Sequence, residues 1–177
     1  MASSRKKAIV RTQEHTVHAG YLPGSGLVNH ANGMVELLDT TGRIAPIALK
    51  TVRYVAYVRD FNLDDTDNPE RLTRKTFLAR PRTEGLWVRV TFRDGEVLEG
   101  LAGLDVALVE DAIADQGVFL IPPDVRSNTQ RLFVPRSAMA GMQVLGVITT
   151  PSKAVPAPVK KRHVDELNLP VPEPGSR

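Results

Sequence analysis

The feature that most constrains this fold is a similarity between two separate parts of the chain. When the sequence is shifted by 80 positions, residues 8–21 (AIVRTQEHTVHAGY) align with residues 88–101 (VRVTFRDGEVLEGL) without a gap. The identical pairs in this alignment include Val10 with Val90, Val17 with Val97, and Gly20 with Gly100. Because an internal repeat indicates a unit that was copied, the spacing predicts two related modules within the 177 residues.

Two later blocks correspond in the same order. Met34–Leu38 (MVELL) corresponds to Val118–Ile121 (VFLI), and Ile47–Val58 corresponds to Phe133–Leu145 with one extra residue. In both copies a basic residue and then a hydroxyl residue precede the last apolar run. We therefore predict a tandem duplication. The alternative is that two short β-modules look alike because the alternation of a β-strand is a simple pattern.

The second copy has the clearer strand pattern. In Trp87–Arg93 the side chains of Val88, Val90 and Phe92 share one face, as in a half-buried strand. Asp94-Gly95 then favours a two-residue hairpin, because glycine accepts the positive φ of a type I′ turn. The predicted elements are strands at Trp87–Arg93, Glu96–Leu101, Gly117–Ile121, Gln130–Val134 and Met139–Ile148, a short helix around Asp105–Ala114, and, in the first copy, strands at Ala8–Thr12, Thr16–Leu22, Met34–Leu38, Ile44–Leu49 and Val52–Val58.

Five short, bent strands within about 50–60 residues favour a small closed barrel. Closure removes the exposed edges that a five-stranded sheet leaves open to other chains. The predicted fold class is therefore all-β, with two tandem small five-stranded SH3/Sm-like barrels; the alternative is one β-sandwich of all ten strands. The predicted organisation is a basic N-terminal arm (1–7), a first barrel (8–58), a charged linker with a short helix through Asp67–Leu78 (59–85), a second barrel (86–148) and a flexible Pro-rich tail (149–177).

The positive charge is concentrated at the two ends of the chain. The formal net charge is +3, yet residues 8–148 hold 15 basic and 17 acidic side chains. A domain that wraps nucleic acid usually carries its positive charge on the folded surface, because phosphate neutralisation supplies much of the affinity. Basic ends can still contact RNA, DNA or an acidic protein, or simply be solvated. The candidate nucleic-acid-binding residues are Arg5, Lys6, Lys7, Arg74, Lys75, Lys160, Lys161 and Arg162, with Trp87 as the exposed side chain for base stacking.

The tail combines prolines with a short apolar motif. It contains six of the 13 prolines, which exclude a continuous helix and favour an extended chain. Near its end, apolar residues are interspersed with polar ones at Val164, Leu167, Leu169 and Val171. Such a motif is typical of a docking peptide that adds a strand to a partner's sheet, and we predict a protein partner for it. The alternative is a tail without a binding role.

The sequence contains no constellation of reactive residues. It has no cysteine, which excludes disulfides, cysteine-containing zinc sites and thiol nucleophiles. His15 and His18 are three residues apart, so on a regular strand they face opposite sides and do not form a metal site. The glycine-rich segment 20–26 is not followed by a phosphate-binding helix. We expect no catalytic residues, no cofactor, no metal and no enzyme activity.

Membrane association is not indicated. No apolar run approaches the ~20 residues that span a bilayer, and no apolar segment follows the basic residues 1–7. We therefore expect a protein without a membrane span that resides in the cytoplasm.

Two resemblances to known families accompany these patterns. Val90–Gly100 (VTFRDGEVLEG) is similar to the opening strand pair of Sm-like proteins, which ends at a bent-strand glycine. That family's uridine-binding loop, of the type Asp-x-x-Met-Asn, has no counterpart at Leu104–Leu108, so uridine binding is not implied. A broader likeness links Val52–Phe61, Phe92–Gly100 and Gly117–Leu145 to an uncharacterised bacterial domain family with recurring VxFVRDF, DGExLxG and GFFLxPxDxxSNNxRVFV segments. It covers most of both predicted modules and implies fold boundaries without an assigned activity.

These observations favour a non-catalytic adaptor or assembly protein that binds protein partners through its barrels and its tail. The first alternative is a protein that associates with RNA or DNA through basic tails on a β-barrel body. The second is a PilZ-like cyclic-dinucleotide receptor, for which Arg71–Lys75 loosely matches the arginine arm, while Ser137 lacks the spacing of the second motif. The oligomeric state is left open.

Overall fold

The computed structural model describes residues 4–124 and 126–149, which form eleven strands and one α-helix. The strands are β1 (Arg5–Thr12), β2 (Val17–Pro23), β3 (Val28–Asn29), β4 (Met34–Asp39), β5 (Ile44–Ala48), β6 (Val52–Val58), β7 (Gly85–Phe92), β8 (Val97–Ala102), β9 (Gly117–Leu120), β10 (Thr129–Pro135) and β11 (Met139–Ile148), and the helix is α1 (Ala107–Ala114). Single 3₁₀ turns, Leu49–Thr51 and Arg136–Ala138, join β5 to β6 and β10 to β11. The fold is mostly β, so the predicted all-β class is confirmed, and every predicted strand is present.

The β7–β8 hairpin forms around Asp94-Gly95, but the predicted two-residue type I′ turn is wrong. Phe92 pairs with Glu96 across three residues, 93–95, and of these only Gly95 has a positive φ. Gly95 has φ 86°, and the Phe92 N–H donates to the carbonyl oxygen of Glu96 at 2.8 Å. The β1–β2 turn has no Asp-Gly pair and uses His15 at φ 64°, a region that few residues other than glycine adopt. The predicted short helix is also present, as α1, between β8 and β9.

The strands form two sheets. The larger has the order β3-β4-β2-β1-β6-β10-β9, with β5 added on β4, and the smaller has the order β11-β7-β8. The larger sheet therefore joins the early and late parts of the chain, because β6 pairs antiparallel with β10. In this pairing, called the seam below, Val55 lies opposite Phe133 and Tyr57 opposite Arg131.

The prediction of two separate closed barrels is not confirmed, because the sheets do not close on themselves. Closure was expected because it removes free edges within each copy. In the structure β10 covers the edge of β6 instead, so a strand from the second half of the chain satisfies an edge of the first half.

Two hydrophobic clusters lie on opposite faces of β1 and β6. On one face Ile9 and Ala56 belong to a cluster that includes Val88 of the smaller sheet. On the other face Val55 belongs to a cluster that includes Phe133. Because β6 lies between the two clusters and between two strands, all seven of its residues are buried.

The helix predicted within the charged linker is wrong, since residues 59–84 contain no helix. Arg71 has φ 49°, outside the helical region, and the side-chain oxygen of Asn68 accepts the Leu72 N–H at 3.2 Å. These turns bury Glu70 and Leu72 against the sheet. The domain boundaries remain a prediction, and the predicted Pro-rich tail lies, apart from Thr149, outside the described residues.

Candidate functional site

The most unusual surface of the described residues is the outer edge of β11. This strand has ten residues, and its strand neighbour in the sheet is β7 alone. It carries no charged residue and no proline, and Met142, Val144 and Val147 are each 50–53% exposed. Edge strands in soluble proteins are usually protected by charges, proline, bulges or a covering segment. β11 has neither charge nor proline, although two register shifts, between Met139 and Gly141 and between Val144 and Gly146, interrupt its pairing with β7. The Val147 carbonyl accepts a long hydrogen bond from Arg80 at 3.5 Å.

A groove of about 720 Å³ lies beside the first half of β11. Its walls come from the end of α1, the start of β9, the 3₁₀ turn before β11 and the β7–β8 turn. The lining residues are Arg93, Ala112, Gln116, Gly117, Val118, Arg136, Ser137, Met139, Ala140, Gly141 and Met142. The groove is therefore apolar along β11 and β9, with two arginines at its border.

The two arginines are held by backbone contacts. Arg93 Nε donates to the carbonyl oxygen of Ser137 at 2.7 Å, and the Arg136 N–H donates to the carbonyl oxygen of Gln116 at 2.7 Å. Both residues are exposed, and neither guanidinium forms an ion pair within residues 4–124 and 126–149. An edge with exposed apolar side chains and two such cations suits an extended segment that carries apolar and acidic groups.

A buried charged cluster lies where residues 59–84 pack against the larger sheet. Glu70 is 1% exposed and accepts hydrogen bonds from Arg11 Nε at 2.6 Å, Arg11 Nη2 at 2.9 Å and the Tyr54 hydroxyl at 2.5 Å. Its backbone carbonyl accepts from the Thr129 hydroxyl at 2.7 Å. Glu70 thus connects β1, β6 and β10, and its contacts are those of a structural residue.

The protonation of this cluster follows from its contacts. Burial alone would raise the pKa of Glu70, but the hydrogen bonds from Arg11 and Tyr54 outweigh burial and hold the pKa below its usual value. Burial first, and then the charge of Glu70, raise the pKa of Tyr54. The carboxylate is therefore ionised and the phenol neutral near pH 7.

A second acidic residue, Glu99, organises the outer face of the smaller sheet. It accepts from Arg89 Nη2 at 2.7 Å, from the Phe77 N–H at 3.0 Å and from the Trp87 indole N–H at 3.2 Å. Burial would raise the pKa of Glu99, but these donors together lower it. Trp87, predicted as an exposed stacking side chain, is half-buried and contacts the Phe77 ring edge-on at 6.0 Å between centroids.

The basic residues proposed from the sequence for nucleic-acid binding do not form one cluster with free charges. Arg5 and Lys6 are exposed at the start of β1, whereas Lys7 bonds Asp60 at 3.1 Å. Arg74 is exposed, and its neighbour Lys75 bonds Glu96 at 3.1 Å. The proposed residues Lys160, Lys161 and Arg162, and the proposed docking residues Val164, Leu167, Leu169 and Val171, lie outside the described residues.

Metal-binding clusters are absent from the part of the chain that the structure describes: no group of three or more His, Asp or Glu side chains converges there. His15 lies in the β1–β2 turn and His18 on β2, so turn and strand separate the two histidines noted in the sequence. Within the same residues, no helix has the length and apolar character required to cross a bilayer.

The residues of the groove were missed by sequence reasoning. Met139–Ile148 was predicted as a strand, and its lack of charge was visible, but alternation does not state which strand ends at an open edge. Arg93 and Arg136 are 43 positions apart in the chain, and only the return of β11 along β7 brings them to one groove. The signal available in the sequence was the uncharged, proline-free final strand.

The model of a family of unknown function, DUF6982, matches residues 4–146. The match includes every strand except the last two residues of β11. It agrees with the uncharacterised domain family indicated by the recurring sequence segments. No curated protein and no solved structure matches this chain.

Proposed function

The chain belongs to the DUF6982 family of unknown function, and we propose that it is a non-catalytic assembly protein that binds other proteins along the free edge of β11. The observation that carries the proposal is the exposed edge itself. Among the described residues no strand pairs with the outer edge of β11, which has no charge or proline and exposes Met142 and Val144. Such an edge recognises an extended protein segment by strand addition.

The proposal gains support from a common plan in the two halves of the chain. We infer a first unit, β1–β6, and a second unit, β7–β11. In the first, β1 pairs with β2 and β6, and β4 pairs with β5; in the second, β7 pairs with β8 and β11, and β9 pairs with β10. Both units have a 3₁₀ turn before their last strand. The sequence shift of 80 fits this plan, because Ala8 lies opposite Gly20 and Val88 lies opposite Gly100.

The two corresponding glycines have the same reason to lack a side chain. A Cβ on Gly20 would lie 2.4 Å from the carbonyl oxygen of Leu38 on β4. A Cβ on Gly100 would lie 2.8 Å from the Cβ of Leu120 and 3.1 Å from the carbonyl oxygen of Ile121, next to β9. The second strand of each unit is thus crossed closely by a later strand, β2 by β4 and β8 by β9, which agrees with a tandem duplication.

The groove beside β11 has an equivalent position in the first unit, and there side chains from β9 and β10 occupy it. There Val35, Val52 and Val55 belong to one cluster with Phe119 and Phe133, which β9 and β10 contribute across the seam. The residues at the corresponding positions of the second unit, by strand register, are Val118, Met139 and Met142, and all three line the open groove. We therefore interpret the groove as the site of a strand that another molecule supplies.

The groove lining fits binding better than catalysis. Ser137 is its hydroxyl residue, and none of the residues that line it is a histidine or a carboxylate. A serine nucleophile needs an adjacent base, which this lining does not provide. The groove lining instead offers apolar contacts, backbone groups for strand pairing and two guanidinium groups. The tail residues Val164, Leu167, Leu169 and Val171 stay a predicted second docking element, which the described residues do not test.

Nucleic-acid binding stays the alternative, favoured by the exposure of Arg5 and Lys6 at the start of β1. It predicts an affinity for RNA or DNA that falls steeply with salt and weakens in the variant Lys160→Ala/Lys161→Ala/Arg162→Ala. Absence of a mobility shift at low salt would dismiss it. A cyclic-dinucleotide receptor is the least supported alternative, and calorimetry with such a ligand would test it.

Affinity purification of the full chain from native lysate tests the proposed function. Three proteins are compared: the wild type, the edge variant Met142→Lys/Val144→Lys and the control Ile113→Lys, which changes an apolar side chain on α1 that is 75% exposed. We expect the wild type and the control to retain the same protein partners after nuclease treatment, and the edge variant to lose them. Partners that persist on the edge variant would refute the role of β11, and partners released by nuclease would favour the alternative.

A further inference from the structure

We propose that the partner of the β11 edge is the outer edge of β5 in a second copy of this chain. This inference rests on the proposed function and names its partner. The seam joins the last strand of the first unit to the fourth strand of the second unit. Among the described residues, the equivalent strands each have a free edge: β11 is the last strand of the second unit, and β5, like β10, is the next-to-last strand of its unit. A second copy can therefore repeat the contact that the chain already makes within itself.

The register of the repeated contact follows from the seam. There Arg131, Leu132 and Phe133 lie opposite Tyr57, Ala56 and Val55. The equivalent bonds of the Leu49 and Arg136 N–H groups align the two 3₁₀ turns, so β5 and β6 lie 87 positions before β10 and β11. Within β5 this differs by one position from the sequence alignment, in which Ile47 corresponds to Phe133. The equivalent pairs between two copies are Ile44 with Val144, Ala45 with Gln143, and Pro46 with Met142.

The side chains that would meet are apolar and exposed in the single chain. Ile44 is 57% exposed and Val144 is 53% exposed, and they would lie opposite one another. Pro46 is exposed and takes the position that Phe133 holds in the seam, where it would face Met142 at the groove. Burial of such side chains provides the driving force for association. Glu36, opposite Pro46 on β4, would bring a carboxylate to the sheet that faces Arg93 and Arg136.

The contact between copies is expected to be weaker than the seam. Across the β4–β5 pair, the backbone N–H of Asp39 donates to the Arg43 carbonyl, and that of Leu49 donates to the Gly33 carbonyl. Because backbone groups alternate in direction along a strand, the nitrogen of Pro46 faces the free edge of β5, where proline has no N–H to donate. The seam is also reinforced by the Glu70 cluster, and β5 carries no comparable residue. Self-association should therefore be reversible and depend on concentration.

The two surfaces are different, so the contact is heterologous. Each chain offers β11 to one neighbour and β5 to another, and the assembly can extend beyond a dimer into a ring or a filament. A symmetric β11–β11 contact would instead stop at two copies. The size of the assembly and the effect of β5 variants thus distinguish the two arrangements.

Sedimentation velocity of the full chain over a concentration series tests the inference. The variants are Val144→Lys on β11, Ile44→Lys on β5 and the control Ile113→Lys. We expect the wild type and the control to associate beyond a dimer, and each edge variant to weaken association on the order of tenfold or more. An equimolar mixture of the two edge variants retains one intact pair of edges and should stop at a heterodimer. Pro46→Ala restores a donor and should tighten association roughly fivefold, the effect of about one net hydrogen bond.

Three results would overturn the inference. The first is a wild type that stays monomeric at every concentration. The second is a dimer that Ile44→Lys leaves intact, which would indicate β11–β11 pairing. The third is a Pro46→Ala variant that associates no better than the wild type. If the chain is monomeric while the lysate partners still depend on Met142 and Val144, the second copy is rejected and the proposed function stands.

Discussion

Replacing Glu70 with alanine tests whether residues 59–84 belong to the fold or only link its parts. The Glu70 carboxylate receives two hydrogen bonds from Arg11 and one from Tyr54 and is 1% exposed. Without it the Arg11 guanidinium, whose side chain is 11% exposed, has no carboxylate to neutralise it. Removing one partner of a buried ion pair costs about 3–5 kcal/mol, a large part of the ~5–15 kcal/mol that stabilises a typical domain.

Three further variants separate the contributions of charge and of hydrogen bonding to the stability lost in Glu70→Ala. Glu70→Gln keeps an acceptor but loses the charge, and should cost about 1–3 kcal/mol. Arg11→Met with Glu70→Leu removes both charges and should recover most of the stability, since apolar replacement of a buried pair is often neutral. Glu14→Ala changes an exposed residue in the β1–β2 turn and should stay within about 0.5 kcal/mol of the wild type.

Equilibrium unfolding in urea measures these differences. At a slope of about 2 kcal/mol per M, the loss expected for Glu70→Ala lowers the midpoint by roughly 2 M. The Thr129 bond to the backbone of Glu70 persists in every variant, so the change reports the side chain alone. A Glu70→Ala midpoint equal to that of Glu14→Ala would refute the reasoning and would indicate that residues 59–84 only link the parts of the fold.

Acid provides an independent check, because the fold lowers the pKa of Glu70. The stability that the Glu70 carboxylate contributes is therefore present above its unfolded pKa of about 4.3 and is lost as the pH falls further. In thermal unfolding, the excess stability of the wild type over Glu70→Gln should shrink below about pH 4. An excess that does not change with pH would contradict this reasoning. Phe133→Ala empties a fully buried position at the seam and should cost about 3–5 kcal/mol in urea, whereas a loss under about 1 kcal/mol would mean a loosely packed seam. Gly100→Ala should cost about 1–3 kcal/mol because its Cβ collides with Leu120, while Gly141→Ala, which meets nothing within 4 Å, should be nearly neutral; equal effects of the two would reject the close crossing.

The elements of this fold were predictable from local pattern. Alternation in Trp87–Arg93 and the Asp94-Gly95 turn defined a hairpin that the structure contains, and the same reasoning located the strands of the first half. These features depend on residues a few positions apart, so the sequence states them directly. The edge partners of each strand depend on contacts far along the chain. The pairing of Val55 with Phe133 joins residues 78 positions apart, and no local pattern indicates it.

The treatment of the charged segment failed for a related reason. From the sequence, residues 59–85 are interpreted as a charged linker, and nothing in their pattern distinguishes Glu70 from the neighbouring acidic residues. Its burial depends on Arg11, which lies 59 positions away on another strand. The helix predicted at Asp67–Leu78 required Arg71 in helical geometry, whereas tertiary contacts turn the chain there. The groove was not predicted for the same reason. Its lining comes from elements that are distant in the sequence, and the pattern of a strand does not indicate which of its edges stays unpaired.

Amide hydrogen exchange by NMR tests most directly the claim that β11 is an open edge that another strand covers. By correspondence with Val55 and Tyr57, which pair with β10, the N–H groups of Met142 and Val144 face outward. In the dilute monomer we expect the Met142 and Val144 amides to exchange rapidly and those of Val55 and Tyr57 slowly, with Met142 and Val144 becoming protected on assembly. Strong protection of Met142 and Val144 in the monomer, or none in the assembled state, would contradict the account.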